Sequence, residues 1–191
     1  KDRTVDGHEG FISGSTFLAE GLPLNTLYIH EYAGVNPENG LSMWNKKDDS
    51  VEGGWRTTTD YGEISSDHDS KKLYDSTLAD IFGGFGTSLY AYGFDFSIAF
   101  DYQLGGTTID GSYAGYMSNS TASSLGKNYH LDLLNAWQNP DSKLPADVNK
   151  QIPRFQYADE YVSATSTRFL TSTNYLNISN INIGYSFPAK W

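Results

Sequence analysis

Phe94-Asp-Phe-Ser-Ile-Ala-Phe-Asp-Tyr-Gln-Leu104 is the most regular stretch of the chain. Phe94, Phe96, Ile98, Phe100, Tyr102 and Leu104 share one parity; Asp95, Ser97, Ala99, Asp101 and Gln103 share the other. Side chains on a strand point alternately to its two faces, so the pattern predicts a strand with one apolar and one polar, non-cationic face. The run before it, Gly84-Phe-Gly-Thr-Ser-Leu-Tyr-Ala-Tyr-Gly93, sets Phe85, Thr87 and Leu89 on one face and Gly86 and Ser88 on the other. Tyr92-Gly93 falls where the two runs meet, and glycine readily takes the positive φ of a tight turn. Residues 84–104 therefore read as one antiparallel hairpin.

A second pattern runs from Tyr175 to Phe187. Ile181, Ile183, Tyr185 and Phe187 share a parity, faced by Asn180, Asn182, Gly184 and Ser186, and Pro188 ends the run. Leu176 and Ile178 fall out of phase, which predicts a bulge near Ser179 or a change of environment. Asn25 to Tyr32 is a weaker strand candidate, because Glu31 shares a face with Leu27 and Ile29. Residues 33–80 and 105–174 read as long connections with turn chemistry, such as Val35-Asn-Pro-Glu-Asn-Gly40. One helix is expected inside the second, Asn128 to Asn139, from Leu131, Leu134 and Trp137 and the stop at Asn139-Pro140.

Two architectures accommodate such strands. A soluble β-sandwich uses strands of about 5–6 residues, whereas a membrane barrel needs about 9–11 to cross. Eleven residues at roughly 3.3 Å each, tilted by about 40°, cover roughly 28 Å along the membrane normal. Asp95 and Asp101 would be costly in a sandwich core and harmless in a watery lumen. Tyr90, Tyr92 and Phe94 at one strand end, and Tyr185, Phe187 and Trp191 at another, match an interfacial aromatic girdle. Structureless connections of this length are rare in compact soluble domains, while outer-membrane barrels pair short turns with long loops. The pattern favours the barrel and leaves the sandwich open.

Composition narrows the picture further. A chain of 191 residues is one domain or at most two. Aromatics at 15%, with 14 Tyr, argue against disorder. A net charge of −10 makes nucleic acid a poor partner. The absence of Cys removes disulfides and thiolate metal sites. No run approaches 18 apolar residues, so no membrane-spanning helix is expected; alternating strands keep hydropathy low, and a barrel stays compatible. The chain opens at Lys1 without an export signal, which is expected of a mature start or of a piece of something longer.

Chemistry at a bond is not expected. His8, His30, His68 and His130 lack metal-ligand spacing, and Asp67-His68-Asp69 reads as a solvated acidic stretch before it reads as a cation chelate. Asp48-Asp49 and Asp159-Glu160 are adjacent, so on a strand their carboxyls diverge, unlike a glycosidase pair. No nucleophile elbow, P-loop or dinucleotide fingerprint is present. No catalytic residue, metal or cofactor is therefore expected. The site candidates are Tyr113, Tyr116, Tyr129 and Trp137, able to stack on sugar rings or cap peptide side chains. The plainer role for them, favoured for Trp137, is packing the loop's own small core. Asp95, Asp101 and Gln103 would line a solute path if the polar face is luminal, or merely hydrate the wall.

Several phrases of the sequence go further: Tyr32-Ala-Gly-Val-Asn-Pro-Glu-Asn-Gly40, Gly83-Gly-Phe-Gly-Thr-Ser-Leu89, Tyr92-Gly-Phe-Asp-Phe-Ser97, Asn128-Tyr-His-Leu-Asp132 and Asn135-Ala-Trp137. Arg168-Phe-Leu-Thr-Ser172, Tyr175-Leu-Asn177 and Gly184-Tyr-Ser-Phe-Pro-Ala-Lys-Trp191 continue the series in order. Together they resemble the SusC-type (SusC/RagA) TonB-dependent transporters of the Bacteroidetes outer membrane, from about residue 25 to the end. The resemblance implies an all-β chain: residues 1–191 as an arc of a roughly 22-stranded transmembrane barrel, four to six strands, without plug domain or final strands. Residues 33–80 and 105–174 would be extracellular loops, and the turns at Tyr92-Gly93 and Pro188 to Lys190 periplasmic. Phe94, Phe96, Ile98, Phe100 and Tyr102 would face outer-membrane lipid. The implied partners are the rest of the transporter, a SusD-type surface lipoprotein, the TonB complex acting through an N-terminal part, and an oligosaccharide or peptide cargo. In such a barrel the sequons at Asn119 and Asn177 have no standing. The rival reading is a soluble β-rich carbohydrate-binding module.

Overall fold

The computed structural model describes residues 2–118, 126, 128–138, 152–155 and 161–188. It is all-β, with every strand pair antiparallel among those residues.

The N-terminal part is a meander of short strands. β1 (Asp2–Val5) and β2 (His8–Ser13) turn through Asp6-Gly7, both at positive φ (47° and 83°), the backbone that a twisted two-residue hairpin requires. β3 (Thr16–Ala19) and β4 (Thr26–His30) continue the sheet. Every residue of β4 is buried, because both of its faces are covered. The ring of Phe17 lies 5.6 Å from that of Tyr28, and Ile64 reaches in from the connection that follows.

β5 (Tyr32–Val35), β6 (Ser42–Lys47) and β7 (Trp55–Thr58) form a separate three-stranded sheet. The chain then returns as β8 (Lys71–Ser76) to pair with β4, which closes the first sheet in the order β1-β2-β3-β4-β8. Residues 33–80, expected as a loop of turn chemistry, thus carry four strands. The strand expected over Asn25 to Tyr32 stops at His30, with Asn25 in left-handed backbone (φ 59°) and Glu31 between β4 and β5.

The third sheet is different in kind. β9 (Ile81–Ala91) and β10 (Phe94–Leu104) are each 11 residues long, and their two-residue turn has Tyr92 and Gly93 at φ 52° and 85°. After β10 come the short β11 (Thr107–Ile109), the helix α1 (Gly111–Tyr116) and β12 (Leu170–Ser172), which pairs with β11. β13 (Tyr175–Tyr185), again 11 residues, pairs with β10 on the side opposite β9. Three strands of crossing length are present among the described residues, rather than four to six.

The register of β13 resolves its broken parity. Ile98 pairs with Ile181 and Ala99 with Asn180, but Phe100 pairs with Ile178, so Ser179 is the extra residue of a bulge. Below it Leu176 pairs with Tyr102. The bulge brings Leu176 and Ile178 onto the face of Ile181, Ile183 and Tyr185, and one apolar surface runs unbroken across the sheet. Without it, Leu176 and Ile178 would turn to the other side.

The helix expected over Asn128 to Asn139 is not formed. Leu131–Asn135 is a single 3-10 turn, and Ala136 leaves it in extended backbone (φ −63°, ψ 152°). Leu131 and Leu134 are 76% and 75% exposed. A spacing of three suits a three-residue turn as well as an α-helix, and Leu131 and Leu134 stay exposed rather than packing a helix face. Asn139, and the Ala189 to Trp191 part of the expected last turn, lie outside the described residues.

Candidate functional site

The sheet of β9, β10 and β13 has one mainly apolar and one mainly polar face, with Phe82, Tyr90 and Tyr175 registering on the polar side beside Gln103 and Asp95. Ile81, Phe85, Thr87 and Leu89 of β9 register with Leu104, Phe100, Ile98 and Phe96 of β10, and β13 adds Leu176 to Tyr185 on the same face. These side chains stay exposed: Leu89 by 65%, Ile181 by 54% and Ile183 by 73%. Rings collect at both ends of the face. Phe94, Tyr185 and Phe187 form a chain with centroids 4.5 and 5.0 Å apart beside the tight turn. Phe85 stacks on Phe100 at 4.9 Å and lies 6.4 Å from Tyr102 toward the other end.

The opposite face carries Asp95, Ser97, Ala99, Asp101 and Gln103, flanked by Ser88 of β9 and by Asn180 and Asn182 of β13. Both carboxylates stand opposite glycine: Asp95 pairs with Gly184 and Asp101 with Gly84. A Cβ on Gly184 would collide with the Asp95 carboxylate, and one on Gly84 would come within 3.1 Å of Asp101 Oδ1. The acids therefore lie over bare backbone, and Asp95 Oδ2 accepts from the Asn182 amide at 3.3 Å.

Gln103 has a different task. Its Nε2 donates to Thr173 Oγ1 (3.0 Å), whose hydroxyl donates to the Gly105 carbonyl (3.0 Å). Gly105 and Gly106 both have positive φ (80° and 84°), and the Gly105 N–H donates to Asn174 Oδ1 (2.6 Å). This junction separates the sheet of β9, β10 and β13 from the β11–β12 pair. The Gly-Gly pair signals it in the sequence; the roles of Thr173 and Asn174 depend on a partner some 70 residues away.

The aromatic candidates divide. Tyr113 is half-buried against the cluster of Met117, Ala136 and Ile152. Its hydroxyl donates to Asp132 Oδ2 at 2.7 Å, and burial, then that carboxylate, push its pKa up to about 12. Its ring packs on that cluster and its hydroxyl is engaged by Asp132. Trp137 follows the 3-10 turn and lies flat against Gly40, where any Cβ would strike the indole. The Trp137 N–H donates to the Ile152 carbonyl and the Arg154 N–H to the Gly40 carbonyl, so this contact joins the Val35–Gly40 turn to the later loop. Tyr129 rests edge-on against Phe155 at 5.2 Å, and Tyr116 is 52% exposed.

Asp67-His68-Asp69 is tied into the fold by its own contacts. Asp67 accepts from the Ser70 hydroxyl (2.6 Å) and the Asp69 N–H (2.9 Å), Asp69 pairs with Arg3, and the His68 carbonyl accepts from the Tyr28 hydroxyl (2.6 Å). Among the described residues no group of three His, Asp or Glu side chains converges. No helix among them is long and apolar enough to cross a membrane.

The fold has solved counterparts. The RagAB peptide importer in its "closed-closed" state matches with a TM-score of 0.68 and 21% identity over 95% of this chain. The "open-open" state matches with 0.67 and 22% over 97%, and a further RagAB peptide transporter structure with 0.62 and 21% over 95%. This chain spans 18–20% of the length of those chains. No protein-family model and no curated protein matches the sequence.

His30 yields a prediction. Its Nε2 lies 3.1 Å from the Asp67 carbonyl, Tyr61 stands edge-on at 6.0 Å, and only 2% of the residue is exposed. Burial lowers its pKa below the ordinary 6.5, with Lys71 adding to the effect and the Asp67 carbonyl opposing it. Above about pH 6.5 the imidazole is neutral whether folded or unfolded. Below that, the unfolded chain binds the proton more readily, so stability falls with pH until the lowered folded pKa is passed. His68, shifted the same way by burial, adds to the slope. Hydrogen exchange at the amides of β4, corrected for intrinsic rate, should show reduced protection at pH 5 relative to pH 7.5. His30→Gln should flatten that dependence; an unchanged slope would contradict the assignment.

Proposed function

We propose that this chain forms part of the wall and surface loops of a TonB-dependent outer-membrane importer. Its role is to bind and pass an oligomeric nutrient, a peptide or an oligosaccharide, without chemistry at a bond. The observation that carries the reading is the unbroken apolar face of β9, β10 and β13, kept in phase by the Ser179 bulge. Strands of this length with rings at both ends suit a bilayer. The likeness of fold to RagAB supports the same reading, and RagAB's being a peptide importer supports a peptide among the cargoes. The motifs shared with SusC-type transporters support a SusD-type surface lipoprotein above the loops. A soluble carbohydrate-binding module would have to leave this whole face against water, which counts against that alternative.

In this reading the apolar face meets lipid, and Asp95, Ser97 and Asp101 meet a watery lumen. The turn at Tyr92-Gly93 is periplasmic, and residues 33–80 and 105–174 are extracellular. Aromatic residues of the loops, Tyr116 and Tyr129 foremost, are the proposed cargo contacts.

In the full protein, Ile98→Arg should destabilise by roughly 2–4 kcal/mol, as expected for a cation near the bilayer midplane. Ser97→Arg, one residue away and on the other face, should be much milder and alter uptake instead. Urea midpoints in detergent or vesicles would read both; equal costs would refute the facing.

Labelling of intact cells tests the orientation separately. Asp49→Cys, on the exposed β6–β7 connection, should react with a membrane-impermeant maleimide, and Tyr92→Cys should not. The reverse pattern would overturn the topology.

A further inference from the structure

A cleft of about 390 Å³ opens where β1, β4, β6, β7 and β8 meet. The chain has 13 Lys and Arg against 23 Asp and Glu, yet Arg3, Lys47, Lys71 and Lys72 all line this one cleft, with Trp55 and Tyr28 between them. The fold itself causes the gathering. Lys47 and Trp55 are register partners at the loop end of the β6–β7 hairpin, and Lys71 and Lys72 begin β8 beside β4.

The four cations are not equivalent. Arg3 is paired with Asp69. Lys72 is bound to Glu31 at 2.6 Å, and its ammonium sits 4.4 Å above the Trp55 ring. Lys71 and Lys47 have no carboxylate within ion-pair distance among the described residues. Lys71 is half-buried, 5.9 Å from the Tyr28 ring centroid, and desolvation lowers its pKa. Asp6 and Asp69 are the acids on the lining, two against four. A partly desolvated ammonium without a carboxylate partner among the described residues, lining one cleft with a second such lysine and an indole, favours an anion attached to an apolar body.

We propose that this cleft binds a carboxylate-bearing segment of the cargo, with Lys71 and Lys47 taking the carboxylate and Trp55 packing against the ring or stem that carries it. The proposal rests on the importer reading for the word cargo alone. A hexuronic acid in an oligosaccharide and a Glu side chain in a peptide offer the same group.

The test is calorimetry on the full protein in detergent. The probes are trigalacturonate against its methyl ester, and a triglutamate peptide against triglutamine. A charged probe should bind tighter than its neutral counterpart by about tenfold or more, the scale of one charge-assisted hydrogen bond. The preference should weaken with salt. Lys71→Met should remove most of it, and so should Lys47→Gln, which alters an exposed side chain and keeps the test open if Lys71→Met misfolds. The probe that binds identifies the source, sugar or peptide. No charge preference, no binding of either charged probe, or a preference untouched by both variants would overturn the proposal. Such a failure in a protein that still fractionates with the outer membrane refutes the cleft alone. Carboxylate binding by a protein absent from that membrane refutes the importer reading and leaves the cleft standing.

Discussion

Every residue of a strand carries an N–H and a C=O, and an apolar medium tolerates neither unpaired. The three long strands satisfy this demand for β10 on both sides, through β9 and β13. The outer edges of β9 and β13 have no strand partner among the described residues. A sheet with one exposed apolar face and two open edges is an aggregation hazard in water and an ordinary segment in a closed barrel. Pairing and facing are also coupled, since a slip of one residue exchanges the two faces. The extra residue at Ser179 is where β13 absorbs that coupling. Leu176 and Ile178 reach the apolar face through it, while Asn177 and Asn180 keep the polar one.

The same logic explains how much was legible in advance. β10 and its turn followed from parity and from Tyr92-Gly93, because strand facing and turn backbone are local properties. The broken parity marked its own position near Ser179, and register decided between a bulge and a change of environment. Within residues 33–80, β8 was opaque because a distant strand decides it. β8 forms against β4 across 40 intervening positions, and the loop between them is tied down by Tyr28 to His68 and by His30 to Asp67. The helix over residues 128–139 failed for a physical reason too: a spacing of three whose leucines stay exposed makes one turn and stops.

The site candidates divide along the same line. Asp95 and Asp101 were placed on the polar face by parity alone, but the glycines opposite them became visible only once register was known. Tyr113 and Trp137 turned out to pack, since their partners Asp132 and Gly40 lie 19 and 97 positions away. The cationic cleft was hidden for the same reason. Arg3, Lys47 and Lys71 share no local pattern, and three separate strands bring them together.

The central claim is that residues alternate between lipid and water along β10 and β13 on either side of the bulge. Nitroxides placed one at a time at Ile178, Asn180, Ile181 and Asn182 of the full protein in bilayers test it directly. Collisions with oxygen, which concentrates in hydrocarbon, should dominate at Ile178 and Ile181. Collisions with a water-soluble nickel chelate should dominate at Asn180 and Asn182. Equal nickel accessibility at all four positions would contradict the account.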